Sequence, residues 1–524
     1  MSRHLCYPEF SEHTAPNSSQ SIVKRRRDGG QKMRVLLVYP EFPDTFWSFK
    51  YALRFTTKKS VFPPLGLLTV AAMLPGDWEK RLADMNVRRL RDSDLKWADC
   101  VFISAMSVQS ASAEDVIVRC KKAGVRVVAG GPLFTAFPDK FDTVDHLVLG
   151  EAEVTLPPFL HDLERGNAGH IYQCDHKPDI SVTPVPLWSL IRMKDYSSMN
   201  IQYSRGCPFN CEFCDVVVLF GRRPRLKTVR QVTAELDALY DSGWRGSVFF
   251  VDDNFIGNKE ILKNSVLPAV ISWQEVHGRP FRLDTEASIN ISDDEELMDL
   301  MVAAGFDTVF VGIETPNEDS LSECGKKQNT GRDLLACIET IQAHGMEVQG
   351  GFILGFDSDP ETIFDTLIRF IQQSRIVVAM VGLLNAPRGT RLYQRMEKEQ
   401  RLTSDFTGDN TDYSMNFAPK MAHDKLVSGY KKVVGNIYGP ESYYRRVMRY
   451  LDAERTQQPK TRVKIHPADI ASFMKSIFRL GIAGEERRWF WRLVLHTLRH
   501  NPSQLHKAVT YAVYGHHFRK VYRV

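Results

Sequence analysis

Arg205-Gly206-Cys207-Pro208-Phe209-Asn210-Cys211-Glu212-Phe213-Cys214 sets three cysteines at steps of four and three, directly after the apolar, strand-like run Asn200 to Ser204. Thiolates hold 4Fe–4S clusters, usually four at a time. With three local thiolates, one iron keeps an open position where a reducible ligand can bind. The plainer alternatives are a zinc site, a disulfide pair or three unrelated core cysteines. Zinc usually takes two paired-cysteine motifs or added histidines, and no such pair follows here. Spacing and ligand softness favour the cluster, with Cys207, Cys211 and Cys214 as its ligands and reactive centre.

The C-x3-C-x2-C spacing, with the aromatic Phe213 before the last cysteine, resembles the signature of the radical S-adenosylmethionine (radical SAM) enzymes. Downstream, strand and helix alternate. Strands are expected at 199–204, 247–252, 282–289, 307–313, 347–354 and 377–385, with helices near 228–242, 259–273, 293–304, 331–344 and 360–374. About six βα units fall short of the eight of a closed barrel, so an open, partial barrel over 198–395 is predicted. Its functional groups belong on loops at the carboxyl ends of the strands. Asp252-Asp253-Asn254 stands where the resemblance implies a polar loop, usually Gly-Gly-Glu, meeting the amino group of the bound methionine moiety. Glu286 and Glu314 close the next two strands and could hold ribose hydroxyls or that ammonium; a solvated acid at a helix start is the alternative for Glu286. Gly351-Phe352-Ile353-Leu354-Gly355 matches the glycine-spaced motif that, in the resemblance, packs on the adenine; Gly351 and Gly355 are the candidates. Phe213 joins the cofactor contacts. Cys324, Cys337, His277 and His344 read as structural.

Upstream, Met33 to Tyr39 is continuously apolar, as in a strand buried on both faces. Similar runs recur at 81–84, Cys100 to Ala105, Val125 to Ala129 and 146–149, with helical patterns at Leu65 to Leu74 and Ala111 to Ala123. This alternation predicts a parallel, doubly wound, Rossmann-like sheet over 33–166, which binds ligands outside the carboxyl ends of its strands. No G-x-G-x-x-G follows the first strand, which disfavours a dinucleotide. The turns Gly130-Gly131 and Gly150-Glu151-Ala152-Glu153 resemble the cobalamin-binding domain found ahead of many radical SAM domains; a purely structural domain is the alternative. Ser104, Met106, Ser107, Gly130, Gly131, Gly150 and Glu151 become candidate cobalamin contacts. The D-x-H-x-x-G motif that supplies a lower axial histidine in some cobalamin proteins is absent, so the cofactor is expected without a protein histidine on cobalt. The aromatic stretch Phe46 to Tyr51, followed by Phe62-Pro63-Pro64-Leu65-Gly66-Leu67, either covers a large apolar ligand or plugs an interdomain seam. The proline-containing segment 167–197 reads as a linker.

The bulk numbers fit this division. At 524 residues the chain has room for about three domains, and 43% hydrophobic with 25% charged residues is a globular composition. Nine cysteines, an odd number with no signal peptide, argue against a secreted disulfide scaffold and suit a reducing cytoplasm. No apolar run approaches the roughly 20 residues of a membrane span. A net charge of +5 does not by itself imply nucleic acid, and no RNA-binding signature accompanies it. Residues 1–32, including Lys24-Arg25-Arg26-Arg27, read as a disordered polar tail. From 396 to 524 apolar residues recur at helical spacing. Arg487 to Val524 holds eight Lys or Arg and no Asp or Glu, interleaved with Trp489, Phe490, Trp491, Tyr511, Tyr514 and Phe518. That region is either an interfacial membrane element or a packed helical cap with a basic face.

Taken together, residues 33–524 resemble the cobalamin-dependent radical SAM methylases, nearest the hopanoid C-2 methylase group. The stretches carrying the nearer match are Tyr39 to Tyr51, Phe62 to Leu68 and Tyr514-Gly515-His516-His517-Phe518-Arg519. The resemblance implies a 4Fe–4S cluster, S-adenosylmethionine and cobalamin as cofactors. It implies a 5′-deoxyadenosyl radical that takes hydrogen from an unactivated carbon, beyond the reach of any side-chain base, and a methyl group supplied from cobalamin. It also implies a lipid substrate, an electron donor such as flavodoxin or ferredoxin, and a cytoplasmic location with peripheral contact to the inner membrane surface. A related enzyme methylating or cyclising another metabolite, and a cobalamin- or cluster-based sensor without turnover, are the alternatives.

Overall fold

The computed structural model of the chain describes residues 32–453 and 467–524. The expected tail, with its basic run at 24–27, lies almost wholly outside these. Six parallel strands open the structure: β1 (Arg34–Tyr39), β2 (Glu79–Asp84), β3 (Cys100–Ser104), β4 (Arg126–Gly130), β5 (His146–Val148) and β6 (Ile171–Tyr172), in the order β2-β1-β3-β4-β5-β6. The continuous apolar run of β1 has a simple cause. Leu36 and Val38 enter a core that includes Val116 and Phe134, whereas Val35 and Leu37 enter a separate core with Leu67 and Phe159 on the opposite face. Side chains alternate across a strand, so a sheet covered by helices on both faces needs apolar residues at every position. The strand order reverses between β1 and β3, and ligands of such sheets bind at this switch point. β6 falls inside the stretch expected to be linker; two residues on a sheet edge are too short to show a period.

The second sheet holds β7 (Ser198–Ile201), β10 (Ser247–Phe250), β11 (Arg282–Ala287), β12 (Phe306–Glu314), β13 (Glu347–Leu354) and β14 (Ala379–Leu383), all parallel and paired in chain order. Between the first two of these runs lies a small antiparallel ribbon, β8 (Ser204–Arg205) with β9 (Arg225–Leu226). β14 does not pair with β7, so the barrel is open, as expected for six units.

Helices fill the C-terminal region: His423–Tyr438, Pro440–Ala453, Pro467–Ser476 running on as a π-helix to Ile482, Arg487–His500 and Leu505–Tyr522. They share one continuous hydrophobic core with the barrel. An unpaired strand edge exposes carbonyl and amide groups that need partners, and tyrosines from these helices supply them. The Tyr438 hydroxyl donates to the Ala379 carbonyl (2.7 Å), and Tyr430 and Tyr522 donate to that of Val381 (3.0 and 3.3 Å). The aromatic stretch after β1 completes the packing. Phe46 stacks on Phe518 at 4.3 Å between ring centroids, and Phe49 on His517 at 5.1 Å. Burial pushes His517 down to about 4, so the imidazole is neutral. It bonds the Phe46 carbonyl through Nε2 (2.9 Å).

Candidate active site

The cysteine loop leaves β8 through Gly206, whose φ is +94°. A Cβ there would sit 2.9 Å from the Gly221 carbonyl oxygen and 3.0 Å from that of Arg223, so only glycine fits. Returning chain closes over the loop: the Cys207 amide donates to Gly221 O (3.3 Å) and the Glu212 amide to Cys324 O (2.8 Å). Arg395 grips both carboxylate oxygens of Glu212 at 2.9 Å. The two-oxygen fork fixes orientation as well as distance.

Cys207, Cys211 and Cys214 are partly buried free thiols, and burial raises the pKa of all three. Among the described residues no three His, Cys, Asp or Glu side chains converge as a single-ion site. Three soft thiols at one strand end suit an iron–sulfur cluster. Side-chain amides face two of the sulfurs: Asn254 Nδ2 lies 3.9 Å from Cys207 Sγ, and Gln328 Nε2 3.7 Å from Cys211 Sγ. The buried Lys326 ammonium, paired with Glu314, adds positive charge beside them. Hydrogen bonds and charge at the sulfurs tune a cluster's potential. Gln328 and Lys326 were not legible in advance. Their only signal is the polar run Gly325-Lys326-Lys327-Gln328-Asn329 beyond the βα turn.

The acidic candidates separate into different roles. Asp252 is fully buried and accepts backbone N–H groups from Tyr203 and Ser204. It thus anchors the strand end that leads to the cysteines. Glu314, at φ +66° on a β-bulge, spends its charge on Lys326; it acts toward the cluster through that lysine. Asn254 Oδ1 accepts from the Ser288 amide and hydroxyl, both at 3.2 Å, which aims its amide at Cys207. Among the described residues, no side chain donates to Asp253 or Glu286. Burial, then the neighbouring carboxylates, raises them to about 7 and about 8. A cation or a hydroxyl set would relieve that cost, so these two remain free to meet a ligand. Deeper in the barrel Asp284 is also raised to about 8, by burial and then Asp307.

Phe213 packs edge-on against Phe356 at 6.3 Å and borders the core. Gly351 is forced by Phe310, whose ring lies 2.9 Å from where its Cβ would be. Gly355 has φ +105°, and a Cβ there would meet Leu426 and Met415. It therefore turns the chain against the C-terminal helices.

In the first sheet the outcome is also mixed. Gly130 abuts the Val148 carbonyl (2.6 Å from a built Cβ), and Gly131, at φ +90°, abuts Ser104 Oγ (2.5 Å). These three make the strand ends pack closely. The Gly150 amide donates to Thr135 Oγ1 (3.0 Å). Glu151, expected at the cofactor, is instead buried in an ion-pair network: it binds Arg205 and Arg225 at 2.9 Å, and Glu153 also binds Arg205 at 2.9 Å. Arg205 immediately precedes the Gly206-Cys207 turn, so this network ties the first sheet to the cysteine loop. Met106 alone of the seven candidates lines the main cavity, and Ser107 lies under the Gly408 turn.

That cavity, of 2920 Å³, lies between the switch point of the first sheet, the open barrel and the C-terminal helices. Its walls include Phe42 and Met106 from the first sheet's loops, Trp47 and Phe62 from the aromatic stretch, and Glu286 and Phe310 from the barrel. Drug-sized ligands occupy about 300–1,000 Å³, so the space accommodates a large cofactor and a substrate together. Met106 and Val108 bring apolar surface to the cavity from the first sheet's loops, and Glu41 and Asn86 bring polar groups. The residues present therefore fit a cofactor with a broad ring face and polar edges.

Comparison with known proteins gives these features a family. Residues 53–160 match the B12 binding domain, 201–371 the Radical SAM superfamily and 390–524 a domain of unknown function (DUF4070). An uncharacterized methyltransferase of Synechocystis sp. is 41% identical over 93% of this chain and 91% of its own length. The hopanoid C-2 methylase of Rhodopseudomonas palustris is 35% identical over 90% of this chain and 91% of its own. Among solved structures, the cobalamin-dependent S-adenosylmethionine radical enzyme OxsB with aqua-cobalamin bound shares the fold, with a TM-score of 0.59 at 14% identity over 94% of this chain and 80% of that one. The radical S-adenosylmethionine methyltransferase TsrM from Kitasatospora setae gives 0.56 at 17% identity over 70% and 75%. With its cysteine-bearing open barrel, its cobalamin-type sheet and these full-length relatives, the chain belongs to the cobalamin-dependent radical SAM methyltransferases, whose cofactors are a 4Fe–4S cluster, S-adenosylmethionine and cobalamin.

Proposed function

We propose that the protein methylates C-2 on ring A of a hopanoid, a rigid apolar polycycle. The observation that carries this reading is the aromatic-walled cavity that joins the cobalamin-type sheet to the open barrel; the 35% identity to a hopanoid C-2 methylase supports it. When bound, the cofactors supply the radical and methyl-transfer chemistry that side chains lack. The chain's own residues do the rest. Cys207, Cys211 and Cys214 hold the cluster, while Asn254, Gln328 and Lys326 stabilise its sulfur charge. Asp253 and Glu286 receive the polar groups of S-adenosylmethionine. Met106, with the neighbouring Phe42 and Val108, borders the cobalamin face. Trp47, Phe62 and Phe310 exclude water and orient the polycycle by shape. We further assign an external electron donor of the flavodoxin or ferredoxin type, a cytoplasmic location and peripheral contact with a membrane. No helix among the described residues is long and apolar enough to cross one.

Lipid mass spectrometry tests the substrate. Expression in a cell that makes only unmethylated hopanoids should add one methyl to ring A. Unchanged hopanoids, alongside active S-adenosylmethionine cleavage by the purified protein, would rule this substrate out.

A further inference from the structure

Two neighbouring helices of the C-terminal region break the usual rule for a protein surface. On Pro467–Ile482, the apolar side chains Ile470, Met474, Phe478 and Ile482 recur at every fourth position and point outward; on Arg487–His500, Trp491, Leu495 and Leu498 follow at steps of four and three and also point outward. The seven are 39 to 64% exposed. The inward faces are apolar as well: Leu480, Phe490, Leu493 and Val494 are buried in the core. An amphipathic helix of a soluble surface would carry polar residues outside. Contiguous apolar surface of this kind marks an interaction site.

The fringe of the patch indicates what covers it. Residues 470–500 hold six Lys or Arg (Lys475, Arg479, Arg487, Arg488, Arg492 and Arg499) against two Glu. One of those, Glu486, is buried and neutralised by Arg519, with the Tyr444 hydroxyl donating to it. All six basic residues are exposed. Apolar side chains ringed by cations match an anionic lipid surface, in which such helices lie flat with one face among the acyl chains. The same helix leads inward: Ile470, Ser472, Phe473 and Ser476 line the main cavity, together with Pro502 and Leu505 from the next turn and helix.

We infer that the helix pair 467–482 and 487–500 docks the enzyme on an anionic membrane and forms the threshold over which a lipid passes into the cavity. The docking surface is thus distinct from the aromatic residues Tyr511 and Phe518, which are buried. As a route for substrate the inference rests on the lipid reading above; as a docking surface it stands on exposure, charge and continuity with the cavity.

The test uses the full-length protein and vesicle co-sedimentation, with phosphatidylcholine vesicles compared with vesicles that also contain phosphatidylglycerol. The wild type should bind the anionic vesicles and release as salt rises. The double variant Phe478→Glu/Ile482→Glu should partition at least about tenfold more weakly and keep wild-type S-adenosylmethionine cleavage, since neither residue touches the cysteine loop. Arg488→Gln/Arg492→Gln should weaken binding to anionic vesicles and leave the thermal midpoint unchanged. Equal vesicle binding by wild type and the Phe478/Ile482 variant would overturn the inference. So would a concentration-dependent dimer that the same substitutions dissolve while vesicles remain unbound, because a second copy would then cover the face. Vesicle binding as expected, with no methylated hopanoid formed, would leave docking intact and remove only the substrate reading.

Discussion

The surroundings of the cysteine loop and the aromatic seam with the C-terminal helices are built by different physics. On the cysteine side, buried charges fix the backbone: Glu151 with Arg205 and Arg225, Glu212 with Arg395, and Glu314 with Lys326. On the far side the contacts are rings on rings, with Phe46 on Phe518 and Tyr438 on Tyr522. Directional bonds in a desolvated setting hold atoms to one geometry, as a cluster and its ligand require. Stacked and edge-on rings exclude water over a large area with fewer directional demands, which suits a wall that must admit a bulky apolar body. Substitutions on the first side should therefore disturb the chemistry; those on the second should cost stability and leave cleavage of S-adenosylmethionine alone.

The largest effect is expected from Cys211→Ala. Removing one of three local thiolates should lower iron content and reduce 5′-deoxyadenosine formation to background, read by metal analysis and chromatography. Full cleavage in this variant would overturn the cluster assignment. Next come two variants of comparable cost. Glu151→Ala leaves Arg205 and Arg225 short of a counter-charge in a buried site, a loss of about 3–5 kcal/mol. Phe46→Ala empties a fully buried aromatic position, also about 3–5 kcal/mol. Denaturant unfolding should show both, and the comparison turns on a second readout. Cleavage per bound cluster should fall for Glu151→Ala, where the loop before Cys207 loosens, and stay near wild type for Phe46→Ala. Equal behaviour of the two would erase the distinction between the sides.

The smallest effect concerns pH. Glu286 is raised to about 8 from 4.5 by burial and by Asp253 and Asp252, so the fold favours its protonated form. For the cofactor-free protein, that contribution is complete below about 4.5 and is lost as pH rises through about 8. Glu286→Gln should flatten the fall in stability between about pH 4.5 and 8, measured by urea unfolding. An unchanged slope would show that the carboxylate is already solvated or paired.

Much of the architecture is legible in the chain because it rests on local periodicity. The unbroken apolar run of β1 demands two covered faces, and six spaced βα units leave a barrel open. The cysteine spacing likewise marks the proposed cluster ligands, since they lie within eight residues of one another. Side-chain roles that depend on distant partners are not legible. Glu151 looks like a cofactor residue at the end of β5 until Arg205 and Arg225 arrive from more than fifty positions away. Asp252 and Gly355 sit in motif positions, yet one anchors backbone N–H groups and the other packs on Leu426. The basic, aromatic C-terminus reads equally as cap or membrane element because composition does not say which face of a helix is covered.

By itself, then, the sequence determines the two parallel sheets, the open barrel and the close grouping of three cysteines, all properties of spacing along the chain. Only the tertiary structure decides which carboxylates are consumed by arginines and lysines and which stay free, and which aromatic residues are buried or left outside. Those outcomes depend on desolvation and pairing between segments from 12 to 471 residues apart, and desolvation is a property of the folded surroundings.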